Sequence, residues 1–249
     1  MKWLLLRGLT RDQRHWGDFP ARLGAALGTE VVCIDPPGFG TEYKRQSPKL
    51  LSQITDDIRG RFAQLRGDDE WSILGISLGG MLTLDWCSRF PDDFARAVVI
   101  NTSASNSASI QDRFKPSAAF GLVTSAFRSP AAVERTALAA SSNKPAAELD
   151  VLAEQWTQWK AQTPPSRSSI IGQIVAATRF TLPETVNVPL LVLNSRNDRL
   201  VSYKNSAAIA QRLQAPLKVH PTAGHDLPTD DPDWVCQQVA DWAESHHPS

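Results

Sequence analysis

Apolar positions along this chain fall into short continuous runs that alternate with stretches of helical spacing. The runs at 3–6, 31–34, 71–74, 97–100, 189–193 and 217–219 are four to five residues long or shorter, the size of buried strands. Between them, residues 17–27, 54–65, 78–90, 206–213 and 234–245 repeat apolar side chains every three to four positions, as an amphipathic helix does. Ile54, Ile58, Phe62 and Leu65, for example, share one face. Pro36 and Pro37 forbid a central strand beyond the second run, and Pro91 closes the third helix. Strand and helix in strict alternation predict an α/β fold: a mostly parallel sheet of about six strands with helices on both faces.

The alternation breaks once. From 104 to 183 no strand candidate occurs, and helical spacing appears near 131–140, 146–160 and 168–178. Eighty residues are too many for a plain loop and too poor in strands to widen the sheet. The expected organisation is a core of residues 1–103 and 184–249 with a helical cap inserted at 104–183.

Composition narrows the classes of function. Lys plus Arg and Asp plus Glu number 26 each, so formal charge is zero, which argues against nucleic acid or an anionic membrane surface as the main partner. The first apolar run is interrupted by Arg7, too early for an export signal and far too early for a membrane span. Cys33, Cys87 and Cys236 have no metal-like spacing and read as reduced thiols. A cytoplasmic location is expected.

Candidate chemistry begins at Gly75-Ile76-Ser77-Leu78-Gly79, a G-x-S-x-G pattern between a strand and a helix. So sharp a turn brings backbone segments together where side chains at 75 and 79 would clash, and it lifts the Ser77 hydroxyl above the sheet edge. The start of the next helix offers free N–H groups to a developing oxyanion. A serine hydroxyl needs a base, and the base needs an acceptor that fixes its tautomer. Both belong on loops beyond the carboxyl ends of strands. Asp198, five residues past Leu193, and His225, after the last strand and beside Gly224, meet that requirement. Gly224 is expected to permit the tight turn that presents the ring. His220 continues its strand and reads as structural, His15 as a capping or packing residue, and Asp226 as too close in sequence to turn toward its neighbour.

The order Ser77, Asp198, His225 resembles that of the α/β-hydrolases, and so do Leu5-Leu6-Arg7-Gly8-Leu9, Asp35-Pro36-Pro37-Gly38-Phe39-Gly40 and Gly224-His225-Asp226. Within that family the chain looks most like small capped carboxylesterases, including those that cleave the methyl ester of pimeloyl-acyl-carrier protein. The resemblance implies an oxyanion hole made by the backbone N–H groups of Leu9 and Leu78. It implies a serine esterase that acts on a small acyl ester without metal or organic cofactor. Two departures stand out. Arg7-Gly8 replaces the family's usual His-Gly, so hydrogen bonding there must differ, and the family's first strand hairpin is missing. The cap is expected to choose the substrate, with Phe114, Trp156 and Trp159 as candidate acyl-pocket residues and its arginines as a candidate dock for an acyl carrier. An acyl thioesterase and a non-catalytic small-ligand-binding protein on the same fold stand as alternatives. Carbon–carbon bond hydrolysis and perhydrolysis also keep a serine, whereas dehalogenation and epoxide hydrolysis would need a carboxylate at position 77.

Overall fold

Six strands pair in parallel, in the order β2-β1-β3-β4-β5-β6, in a computed structural model that describes residues 1–107 and 129–245. The strands are β1 (Lys2–Leu6), β2 (Glu30–Cys33), β3 (Trp71–Ile76), β4 (Arg96–Ile100), β5 (Leu190–Ser195) and β6 (Leu217–His220). Each lies within two residues of its sequence-predicted run.

Side chains alternate across the sheet, and both faces are covered. Leu4, Leu6 and Ile73 face one hydrophobic cluster with Ile54, Ile58 and Phe62 of α2 (Leu51–Leu65) and Leu82 and Trp86 of α3 (Leu78–Arg89). Trp3, Leu5, Leu74 and Ile76 face the other, with Phe19 and Leu23 of α1 (Phe19–Leu27) and Val235 and Val239 of the C-terminal helix. A central parallel sheet must be apolar on both faces, and this is why its strands read as unbroken apolar runs rather than alternating ones.

Between β4 and β5 the described residues form three helices and no strand: α4 (Pro130–Ser141), α5 (Ala146–Gln162) and α6 (Arg167–Arg179). Leu138 of α4 packs on Leu149, Ala153 and Trp156 of α5 in a small cluster of their own, while Ala176 of α6, Phe180 and Leu182 join the main core. After β5 come α7 (Tyr203–Arg212), the one-turn α8 (Leu227–Asp230) and α9 (Pro232–Ser245). The last helix starts two residues before its predicted position, with Pro232 at its first turn, where a missing N–H costs nothing. No described helix is long and apolar enough to cross a membrane.

Strand order reverses between β1 and β3. The chain runs outward from β1 to β2, then returns to β3 and continues the other way. In open parallel sheets the crevice at such a reversal, beyond the carboxyl ends of the strands, is where ligands are received. Here it lies between the loop after β1 and Ser77.

Candidate active site

Ser77 joins β3 to α3 with φ 56° and ψ −115°, a backbone conformation that L-residues rarely adopt. The flanking glycines make this possible. A Cβ on Gly75 would overlap the carbonyl of Gly79, and one on Gly79 would overlap the carbonyl of Leu6. Tight packing of β1, β3 and α3 thus holds the strain. The turn is anchored on β4: Ser77 N donates to the Ile100 carbonyl (2.9 Å), and Thr102 Oγ1 donates to the Ser77 carbonyl (2.8 Å).

The loop after β1 closes on the same point. A Cβ on Gly8 would sit 3.3 Å from Ser77 Cβ and 3.9 Å from its Oγ, so Gly8 lies directly against the serine and Leu9 is the next residue in the chain. Leu78 is the first residue of α3. Among the described residues neither the Leu9 nor the Leu78 N–H has a protein acceptor.

Asp198 and His225 come together across 27 positions. His225 Nδ1 lies 2.7 Å from Asp198 Oδ2, and both side chains are buried. The other carboxylate oxygen, Oδ1, accepts from the backbone N–H groups of Leu200 (2.8 Å) and Val201 (2.9 Å), so the acid is aimed by its own loop. Burial pulls the His225 pKa down, but the charge of Asp198 and its hydrogen bond outweigh that, and the net shift is upward from 6.5.

The rival titratable groups all have other partners. Asp226 turns away from His225 and takes both ends of the Arg7 guanidinium, Nη1 to Oδ1 and Nη2 to Oδ2, each at 2.8 Å. Arg7 Nη2 also donates to the His15 carbonyl, and the guanidinium lies 4.6 Å from the Trp16 ring. This buried pair is what the Arg7-Gly8 departure builds. His220 accepts at Nδ1 from the N–H groups of Thr222 (3.2 Å) and Ala223 (2.9 Å) and meets Asp231 at Nε2 (3.1 Å), a structural role. His15 completes a capping box with Asp12.

Gly224 serves differently from expectation. Its φ is not positive. It is small because a Cβ there would lie 2.7 Å from the Ser141 carbonyl, at the end of α4. The requirement is a close approach of helix to loop, not a turn conformation.

Trp156 and Trp159 lie on α5, where the structure brings them to the loop after β1. His15 meets both rings edge-on, at centroid distances of 4.8 and 5.4 Å, and Arg11 lies 4.5 Å from the Trp156 ring. Phe114 falls outside the described residues. One side chain that sequence reasoning passed over stands at the end of β4: Asn101 is buried, has φ 47°, and bonds to the His225 loop. A single asparagine after a strand carries no spacing signal that would have singled it out.

Residues 3–238 match the model of the alpha/beta hydrolase family. The biotin biosynthesis bifunctional protein BioHC of Teredinibacter turnerae is 33% identical over 105 residues, which are 40% of this chain and 17% of that protein. The matched stretch is thus less than a fifth of that relative's length. Two solved structures cover nearly the whole chain. The enol-lactonase of Burkholderia xenovorans superposes with a TM-score of 0.77 at 20% identity, covering 98% of this chain and 91% of that one. The 2-hydroxy-6-oxo-6-phenylhexa-2,4-dienoate hydrolase of a Rhodococcus species gives 0.78 at 20%, covering 96% and 89%.

Proposed function

The chain belongs to the alpha/beta hydrolase family, and from that premise we propose that it is a serine hydrolase of carboxylic esters. The observation that carries the reading is the buried 2.7 Å contact between His225 Nδ1 and Asp198 Oδ2, together with a serine held at positive φ on the turn after β3. With Nδ1 committed to the carboxylate, Nε2 is the nitrogen left to accept the Ser77 proton. Ser77 Oγ then attacks the ester carbonyl carbon. The oxyanion is received by the Leu9 and Leu78 N–H groups, and loss of one such donor costs about 3–4 kcal/mol of transition-state stabilisation. His225 passes its proton to the departing alcohol, and an acyl group remains on Ser77. Water, deprotonated by His225, releases the acid and restores the serine. Asp198 holds the ring and stabilises the imidazolium.

Residues 104–183 we assign to a lid over this site, which decides the substrate. Trp156 and Trp159 are its described aromatic candidates for the acyl side, and an acyl carrier is the candidate macromolecular partner. The first test is Ser77→Ala. Turnover of a small activated ester should drop by at least ~10³ with the near-UV circular dichroism unchanged. Labelling by a fluorophosphonate should vanish in the same variant. Unaltered turnover in pure Ser77→Ala protein would end the proposal. Faster turnover of an acyl thioester than of its oxygen ester would move it to thioesterase. A wild-type chain that neither labels nor turns over esters of any length would move it to ligand binding.

A further inference from the structure

Asn101 joins the two loops that carry Asp198 and His225. Its Nδ2 donates to the His225 carbonyl (2.8 Å) and lies 3.0 Å from Ser195 Oγ and 3.4 Å from the Gly224 carbonyl. Its Oδ1 accepts from Ser195 N (2.8 Å). Ser195 ends β5, and its own carbonyl accepts from Asp198 N (3.3 Å). The amide therefore ties together the loop after β5 and the loop after β6. The residues on either side of it hold the third loop, since Ile100 and Thr102 bond the backbone of Ser77.

Only an amide can satisfy this place. One end must accept and the other must donate, both in a buried setting where an unmet group is costly. The backbone must also adopt φ 47°, which asparagine tolerates and branched or bulky residues do not.

We propose that Asn101 is a positioning residue, whose amide sets the separation and orientation of the Asp198–His225 pair relative to Ser77. Its amide bonds Ser195 and the backbone of the His225 loop and makes no hydrogen bond to the imidazole. It acts on His225 through that residue's carbonyl and on Asp198 through Ser195, whose carbonyl accepts from Asp198 N. The proposal rests on the reading of Ser77, Asp198 and His225 as a catalytic set, but part of its test does not.

Asn101→Gly removes the amide and leaves the positive φ free of strain. Asn101→Asp keeps the shape and the acceptor and replaces the donor by an oxygen facing other oxygens. Two readouts are taken on the full chain. One is the far-downfield proton resonance of the His225–Asp198 hydrogen bond. The other is the rate of Ser77 labelling by a fluorophosphonate. In both variants the resonance should be lost or exchange-broadened, and labelling should slow by about tenfold to a hundredfold, with near-UV circular dichroism unchanged. Both readouts at wild-type values would overturn the proposal, and so would slow labelling with an undisturbed resonance. Should both variants lose their native dichroism, Ser195→Ala removes one contact of the amide. It is then expected to weaken the resonance and slow labelling by about threefold, and wild-type values of both would count against the proposal. If the wild-type chain does not label at all, the reading of Ser77 fails, and the resonance in Asn101→Gly alone still decides the role of Asn101.

Discussion

Arg7 stands where the resembled family usually has a histidine, and its surroundings show what the exchange does. Its charge is buried against Asp226, the residue after the candidate base, by two parallel hydrogen bonds. Burial pushes the Asp226 carboxyl up, but the Arg7 charge overrides it and the net shift is downward. Arg7→Met should therefore leave a buried, unpaired carboxylate and cost about 3–5 kcal/mol in urea unfolding. Asp226→Leu added to it should recover part of that loss, which a double-mutant cycle reads directly. His225 makes a prediction of its own. Its neutral form is the base, and its pKa is raised, so kcat/KM for an ester should fall as pH drops through a midpoint above 6.5. Asp198→Asn removes the largest raising influence and should move that midpoint down while cutting turnover sharply. The sign for folding is the opposite. The raised pKa stabilises the native state at acid pH, and that contribution is lost as pH rises through the folded value. The strained turn at Ser77 and the pairing of Asp198 with His225 were legible in the sequence, because a turn motif and the order of residues along the chain name them. Asn101 and the Arg7–Asp226 pair were not, because nothing local distinguishes a hydrogen bond made 124 or 219 positions away.

Helices α4 to α6 were legible as elements, and their attachments were not. Glu134 of α4 is buried and accepts from Arg11, in the loop after β1, at 2.7 Å and from Lys160 of α5 at 3.0 Å. Burial raises its pKa, but the two cations hold it down, from 4.5 to about 2. A depressed carboxyl stabilises the fold above its unfolded pKa, so this contribution should vanish as pH falls from about 4.5 to about 2. Glu134→Gln should cost about 1–3 kcal/mol at neutral pH and close to nothing at the bottom of that window, measured by urea unfolding across pH. The end of α4 is tied to the His225 loop as well. The Ser141 carbonyl accepts from Asp226 N (2.7 Å), and Asn143 N donates to Asp230 Oδ2 (2.9 Å). On the other side Gln173 Oε1 of α6 accepts from Thr10 N (2.8 Å), one residue past Leu9. The inserted helices thus grip both loops that flank Ser77, and a change in their position would reach the candidate site through backbone bonds.

At the scale of the molecule, a parallel sheet with a reversal in strand order sends the loops after β1, β3, β5 and β6 to one edge. That is why residues 77, 198 and 225 can be far apart in the chain and bonded to one another or to the same turn at 100–102. The sequence alone determined the six strands, the helices between them, the interruption after β4 and the strained serine turn. Each depends on spacing or sterics within a dozen residues, and short-range physics is written in short-range pattern. Only the tertiary structure decided that Asp226 takes Arg7 as its partner, that Gly224 is small to admit a helix end, and that one asparagine joins two loops. Those outcomes depend on strand register and on how helices settle against the sheet, and the relative placement of distant segments has no periodicity from which to read it.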